Sequence, residues 1–183
     1  TVEAALRSFE KPGNPFAGSD DPLTAGNGAL MRLAPVVLFF HPDHAKAETF
    51  AVESSRTTHA AAEALDCSRL LARVICRGLD GAAKGEMLGQ SDRELSSPKV
   101  AALAACSYFG KDDAQIRGTG YSVASLEAAL WCFQNTESFD AAVLRAANLG
   151  DDADTTAAIV GQIAGAHYGI RAIPRHWRAR LHM

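Results

Sequence analysis

The chain has 183 residues, of which 48% are hydrophobic and 21% charged, which excludes a disordered, collagenous or disulfide-miniprotein class and fits one domain, 1–183. A net charge of −3 and a pI of about 6.0 disfavour nucleic-acid binding driven by phosphate attraction and are compatible with carboxylates gathered around a metal. The apolar stretches Leu33–Phe40 and Ile159–Ile170 are interrupted and fall short of the roughly 20 residues of a membrane span.

The N-terminus, TVEAALRSFEKPG, is amphipathic and shows no apolar h-region. It begins on Thr1 rather than Met, as expected of a processed chain or a fragment. Cys67, Cys76, Cys106 and Cys132 form no CxxC pair and no zinc spacing, so we expect free thiols in a reduced, cytoplasmic protein.

Helical signals follow one another along the chain. Val2–Phe9 is expected as a helix stopped by Lys11-Pro12-Gly13, and a polar loop, KPGNPFAGSDDPLTAGNG, follows. That loop is too long for a mere connector, and long loops in compact domains are often functional. Ala29–Phe40 resumes as apolar helix with Pro35 as a kink or a first-turn residue, and Asp43–Ser55 is the next helix. Arg56-Thr57-Thr58-His59 breaks the pattern before a long helix, Ala60–Leu79, closed by Gly78 or Gly81.

A shorter helix near Ala82–Leu88 precedes the polar segment GQSDRELSSP, and Pro98 starts a helix to Tyr108. A second glycine-rich loop, GKDDAQIRGTGYS, leads into Val123–Phe133, where Trp131 and Phe133 are assigned to the core. Phe139–Asn148, Asp152–Tyr168 and Pro174–Leu181 complete the series. Gly161, Gly165 and Gly169 lie four apart and predict a seam where another helix approaches closely. Alternating strand patterns are essentially absent and alanine is abundant, so the fold is expected to be all-α, a compact bundle of short helices.

The segment most loaded with chemistry is Asn148–Thr156, NLGDDADTT, where a glycine break meets a helix start. An acid or threonine there can simply cap the helix and complement its dipole. Three acids are more than a cap needs, and their repulsion is relieved by a cation. Asp152, Asp154 and Thr155 offer hard oxygen ligands without His or Cys, which suits Mg²⁺ or Mn²⁺ rather than zinc. His59 at a helix start, Asn27-Gly28 as a turn and Tyr121 in a glycine loop each have an ordinary structural reading as well. His41, His44, His176 and His182 carry no partner pattern and receive no role.

The segment NLGDDADTTAAIVGQIAGAHYG resembles the C-terminal signature of the ADP-ribosylglycohydrolase family, especially its bacterial members. GNGALMRLAPV (Gly26–Val36), GTGYSVASLEAALWCF (Gly118–Phe133) and SRTTH (Ser55–His59) are similar to further family motifs, in the family's order. The resemblance implies an ADP-ribosylglycohydrolase-like orthogonal bundle with two divalent metals in a cleft, Mg²⁺ or Mn²⁺, removing ADP-ribose from modified protein side chains, arginine first among them. By that resemblance Asp152, Asp154 and Thr155 ligate metal, with Asp151 at the helix start or supporting the ligands. Gly26, Asn27 and Gly28 lie against the phosphates and ribose, where glycine admits phosphate to backbone N–H groups and Asn adds a neutral donor. His59, Gly120 and Tyr121 line the ligand site, with the Tyr121 ring stacked on adenine. Both Asn27 and Tyr121 sit in glycine-rich loops, so truncating either is expected to weaken ligand binding with little loss of stability.

The resemblance also implies a front part not found here. Family members carry an early site Glu, a Thr-Asp-Asp metal motif and a further Asp ahead of the region matching Thr1, and Asp20-Asp21 does not match that motif. Half of the metal shell would then come from a segment removed, from another chain, or not at all in a degenerate relative. The general base is not among the matched residues. The expected partners are an ADP-ribosylated protein or ADP-ribose, plus a second copy or the front segment covering apolar faces such as Leu33–Phe40. The alternative is a non-catalytic ADP-ribose-binding or regulatory module with an incomplete metal centre.

Overall fold

A computed structural model describes residues 1–10, 13–89 and 93–181. The expected stop at Lys11-Pro12, residues 90–92 of the GQSDRELSSP segment and His182 lie outside the described residues. Among the described residues there is no strand beyond two isolated bridges, Ser19 with His59 and Gly26 with Tyr121, and the all-α expectation holds. The helices are α1 (Val2–Phe9), α2 (Ala34–Phe40), α3 (His44–Arg56), α4 (Ala62–Leu79), α5 (Lys84–Leu88), α6 (Pro98–Ala104), α7 (Ser122–Gln134), α8 (Phe139–Ala147), α9 (Ala153–Tyr168) and α10 (Arg175–Arg178).

Three of them form the centre. Helices α4, α7 and α9 pack on one another, with α3 against α4 and α8 against α9. Their facing side chains, among them Leu70, Leu71, Ile75, Leu126, Leu130, Ile159 and Ile163, are almost wholly withdrawn from water. Trp131 and Phe133 belong to this core as expected, and the Trp131 indole N–H donates to the Lys111 carbonyl at 2.9 Å. Helices approach closely at Gly78, where an added Cβ would meet Met87 Cε at 2.8 Å and Ala166 Cβ at 3.0 Å. The glycine seam is partly right. Gly161 and Gly165 face Val143 and Phe139 of α8 at ordinary contact distance, while Gly169, at φ 72°, ends α9.

Several helix ends differ from the sequence reading, each for a local reason. The stretch before Pro35 is a separate 3-10 turn, Leu30–Arg32, because Pro35 occupies the first turn of α2, where its missing N–H costs nothing. Helix α6 stops at Ala104 rather than Tyr108. Cys106 adopts φ 61°, and the N–H groups of Ser107 and Cys106 turn back to the carbonyls of Ala102 and Leu103. The same closure ends α4: Gly81 at φ 81° lets the N–H groups of Ala82 and Gly81 bond to Arg77 and Gly78. Asp80 is thereby fixed at the cap just after the last residue of that helix.

Candidate functional site

The long loop before α2 is held in place from several sides. Gln162 of α9 accepts the Ala34 N–H at 2.6 Å and donates to the Leu30 carbonyl at 2.9 Å, tying the turn after Gly28 to the core. On its other side the loop pairs with the segment before α7. Asn27 N–H donates to the Gly120 carbonyl at 3.0 Å, and Ser122 N–H donates to Ala25 at 2.9 Å. Space here is short at Gly28 and tight at Gly26. An added Cβ at Gly28 would sit 2.9 Å from His59 Cε1, and one at Gly26 would sit 3.2 Å from His59 Nε2.

Asp152 occupies the N-cap position of α9, yet its side chain does not cap the helix. Its Oδ2 instead accepts the Asn27 amide at 2.6 Å. Its backbone is anchored independently, since Asp152 N–H donates to Gly118 at 2.8 Å and Thr156 returns N–H and hydroxyl bonds to the Asp152 carbonyl. Gly118 is closely packed there, because a Cβ would fall 2.7 Å from Thr156 Oγ1. The plain capping reading of the acidic segment therefore fails for Asp152. Asp151 sits outside the helix at φ 52° and is exposed, Asp154 is exposed in the first turn, and the Thr155 side chain is buried.

The structure thus joins Gly26, Asn27, Gly120, Tyr121 and Asp152 in one constellation, from stretches more than ninety residues apart. It places His59 differently from the expectation of a ligand-lining ring. His59 is 2% exposed, lies beneath Gly26–Gly28, and shares a 2.8 Å hydrogen bond between Nδ1 and the Thr58 hydroxyl. Arg32 donates to that same hydroxyl at 2.7 Å. Burial, reinforced by the Arg32 charge, holds the His59 pKa below its ordinary value, favouring the neutral ring. Asn27 is likewise turned inward. At 7% exposure its amide is engaged by Asp152, Ser125 Oγ and the Thr119 carbonyl, so its truncation would cost stability as well as any affinity.

An open cleft of about 600 Å³ adjoins this constellation, lined by Leu23, Gly26, Glu63, Lys99, Gly120 and Tyr121. Two of these residues, Glu63 and Lys99, were missed by sequence reasoning. The Tyr121 hydroxyl donates a short hydrogen bond to Glu63 and accepts one from Lys99 Nζ at 2.9 Å, while Lys99 pairs with Glu63 at 3.0 Å. Burial alone would raise the Glu63 carboxyl, but the Tyr121 hydroxyl and the Lys99 ammonium outweigh it and hold the pKa low. Burial and the Glu63 carboxylate push the Tyr121 phenol up. Glu63 lies four residues after His59, and Lys99 follows the helix-starting Pro98. Neither position carries a local pattern that would have marked it.

Hard oxygen donors at the head of α9 suit a Mg²⁺-class cation, and the inward Asn27 amide orients one of them. Among the described residues, no further His, Cys, Asp or Glu joins Asp152 and Asp154 in a three-ligand group.

The fold is helical, and its acidic helix start is bonded directly to a glycine loop that borders an open cleft, with oxygen donors compatible with a divalent cation. The ADP-ribosylglycohydrolase family profile matches residues 1–183, and the chain belongs to that family. It is 43% identical over 173 residues to an ADP-ribosylarginine hydrolase Tri1 of Pseudomonas putida, covering 94% of this chain and 46% of that protein. It is 36% identical to the Tri1 of Serratia proteamaculans, covering 99% of this chain and 49% of the relative. An ADP-ribosyl-[dinitrogen reductase] glycohydrolase of Rhodospirillum rubrum is 27% identical, with all of this chain and 59% of that one matched. A solved structure described as an ADP-ribosylglycohydrolase-related protein complex superimposes with a TM-score of 0.88 at 38% identity, covering 99% of this chain and 62% of that one. The chain spans about half the length of the curated relatives it matches.

Proposed function

We propose that the protein takes part in hydrolytic removal of ADP-ribose from modified protein side chains, with the N-glycosidic bond to arginine as substrate. The observation that carries this reading is the 2.6 Å bond from the Asn27 amide to Asp152 Oδ2, which pins the acidic head of α9 to the glycine loop beside the cleft. Two relatives named ADP-ribosylarginine hydrolase support the choice of arginine.

In this reading Asp152, Asp154 and Thr155 hold a divalent cation, Mg²⁺ or Mn²⁺, within a two-ion site, and Asn27 fixes which carboxylate oxygen of Asp152 stays available. When bound, such ions would orient the ribose hydroxyls and lower the pKa of a bound water. Gly26, Gly28 and Gly120 let the ligand approach the backbone, with His59 propping the first two from below. Tyr121 offers a ring face to adenine, its hydroxyl fixed by Glu63 and Lys99. None of these residues serves as the general base. Free cysteines support a cytoplasmic location, and burial raises the Cys76 and Cys132 thiols to about 11 and about 12, which keeps them unreactive. Among the described residues, no helix is long and apolar enough to cross a membrane. Exposed Leu38 and Phe39 on α2 support self-association or pairing with a further family segment.

The test is ADP-ribose release from an ADP-ribosylated arginine peptide with and without Mg²⁺ or Mn²⁺, together with calorimetric titration of ADP-ribose. Metal-dependent release that falls to background in Asp152→Asn is expected. Affinity for ADP-ribose should drop at least about tenfold in Tyr121→Ala, as loss of a base-stacking ring implies. The small number of acids gathered at α9 favours one second reading, a binding module without turnover. Tight ADP-ribose binding with no metal-dependent release would favour that reading over turnover by this chain.

A further inference from the structure

At the end of α4 opposite Glu63, three groups converge that the site above does not use. His41 closes α2, His44 opens α3, and Asp80 ends α4. His41 Nε2 lies 2.9 Å from Asp80 Oδ1, and His44 Nε2 lies 2.9 Å from Asp80 Oδ2. The ligand atoms all fall within 4.8 Å of one another. All three side chains are partly open to solvent, at 26%, 43% and 40% exposure, so an ion can reach them.

We propose that His41, His44 and Asp80 form a binding site for a Zn²⁺-class transition-metal ion, a clip joining the α2–α3 turn to the end of α4. Two imidazole nitrogens and one carboxylate are the donor set such ions prefer, and they leave the fourth tetrahedral position for water. Ligand atoms about 2.0–2.1 Å from an ion at tetrahedral angles stand roughly 3.3 Å apart, and the three ligand atoms here, one from each side chain and all within 4.8 Å of one another, reach that spacing by side-chain adjustment about one shared carboxylate. The Gly81 closure of α4 holds Asp80 in place, and the helix C-terminus adds partial negative charge that favours a cation. Both imidazoles here face one carboxylate, and metal would displace one proton or hydrogen bond from each. Opposing charge comes from Arg77, which with His44 lines the neighbouring cleft of Arg69, Arg73, Glu48 and Glu94. This chemistry differs from the hard oxygen donors at α9, so the two sites select different ions.

The test uses the untagged full chain, stripped of metal, titrated with Co²⁺ as a spectroscopic stand-in for Zn²⁺ and then competed with Zn²⁺. One equivalent of Co²⁺ should give ligand-field absorption, Zn²⁺ should abolish it, and Zn²⁺ should raise the thermal midpoint. His44→Ala and Asp80→Asn should each weaken Co²⁺ binding at least about tenfold and lose the Zn²⁺ shift, with circular dichroism confirming that they remain folded. Asp152→Asn/Asp154→Asn should keep both responses. The proposal is overturned if wild type shows no ligand-field band at millimolar Co²⁺, or if both clip variants bind as wild type does.

Discussion

His59 shows how one side chain sets the terms for a loop. Its ring fills the space that Cβ atoms at Gly26 and Gly28 would need, and its own backbone excludes any side chain at Gly18, where a Cβ would fall 2.6 Å from His59 N. Because burial and Arg32 lower its pKa in the folded chain, the unfolded chain binds the proton first. The associated stability is complete above the ordinary pKa of 6.5 and is lost as pH falls from there through the lower folded value. Glu63 and Asp80, whose carboxyls are also held low, lose their contribution only below 4.5 and 3.8, a separate window. The thermal midpoint of wild type should therefore fall between pH 7 and 5, and His59→Gln, neutral throughout, should flatten that slope while lowering the plateau. A wild-type slope retained in the variant would refute the assignment.

Elements are tied to one another here by single buried polar groups rather than by long apolar seams alone. Asp66 of α4 is 6% exposed, and its Oδ2 accepts the N–H groups of Ser96 and Ser97 at 2.7 Å each and the Ser96 hydroxyl at 2.9 Å. It thereby fixes the start of α6, and with it Lys99 at the cleft. Removing that acceptor leaves the N–H of buried Ser97 unmatched, so Asp66→Ala should cost about 1–3 kcal/mol in urea unfolding and loosen Tyr121 through Lys99. An unchanged midpoint would show that water replaces the carboxylate. Such ties explain which parts of the fold were legible beforehand. Helix cores were, because apolar spacing and Pro or Gly punctuation act locally. The early end of α6 was not, because it depends on Cys106 adopting a left-handed conformation that glycine, absent there, would have signalled. The acidic segment stood out as chemistry, but its inward Asn27 partner, 125 residues away, and the Glu63–Tyr121–Lys99 group are products of tertiary packing that no local pattern encodes.

At the scale of the molecule, the question is how much of a two-ion hydrolytic site 183 residues supply. Mg²⁺ asks for near-octahedral oxygen coordination, and two ions held about 3.5–4 Å apart need several bridging or paired carboxylates. The head of α9 offers Asp152, Asp154 and Thr155, and the described residues gather no third acid beside them. The matched region is 46% of the Pseudomonas putida relative and 49% of the Serratia proteamaculans one, so most of the length of each lies outside it. With those donors alone, a site at the head of α9 would bind ions weakly, and transition-state stabilisation worth several kcal/mol would be lost with them. We therefore expect the chain, assayed alone with Mg²⁺ or Mn²⁺ on an ADP-ribosylated arginine peptide, to release ADP-ribose at least about a hundredfold more slowly than the Pseudomonas putida protein under the same conditions. Its Mn²⁺ affinity, read by electron paramagnetic resonance, should be weaker in step. Equal turnover by the two proteins would mean that the chain completes the metal shell with groups not assigned here, and would overturn the ligand count on which this expectation rests.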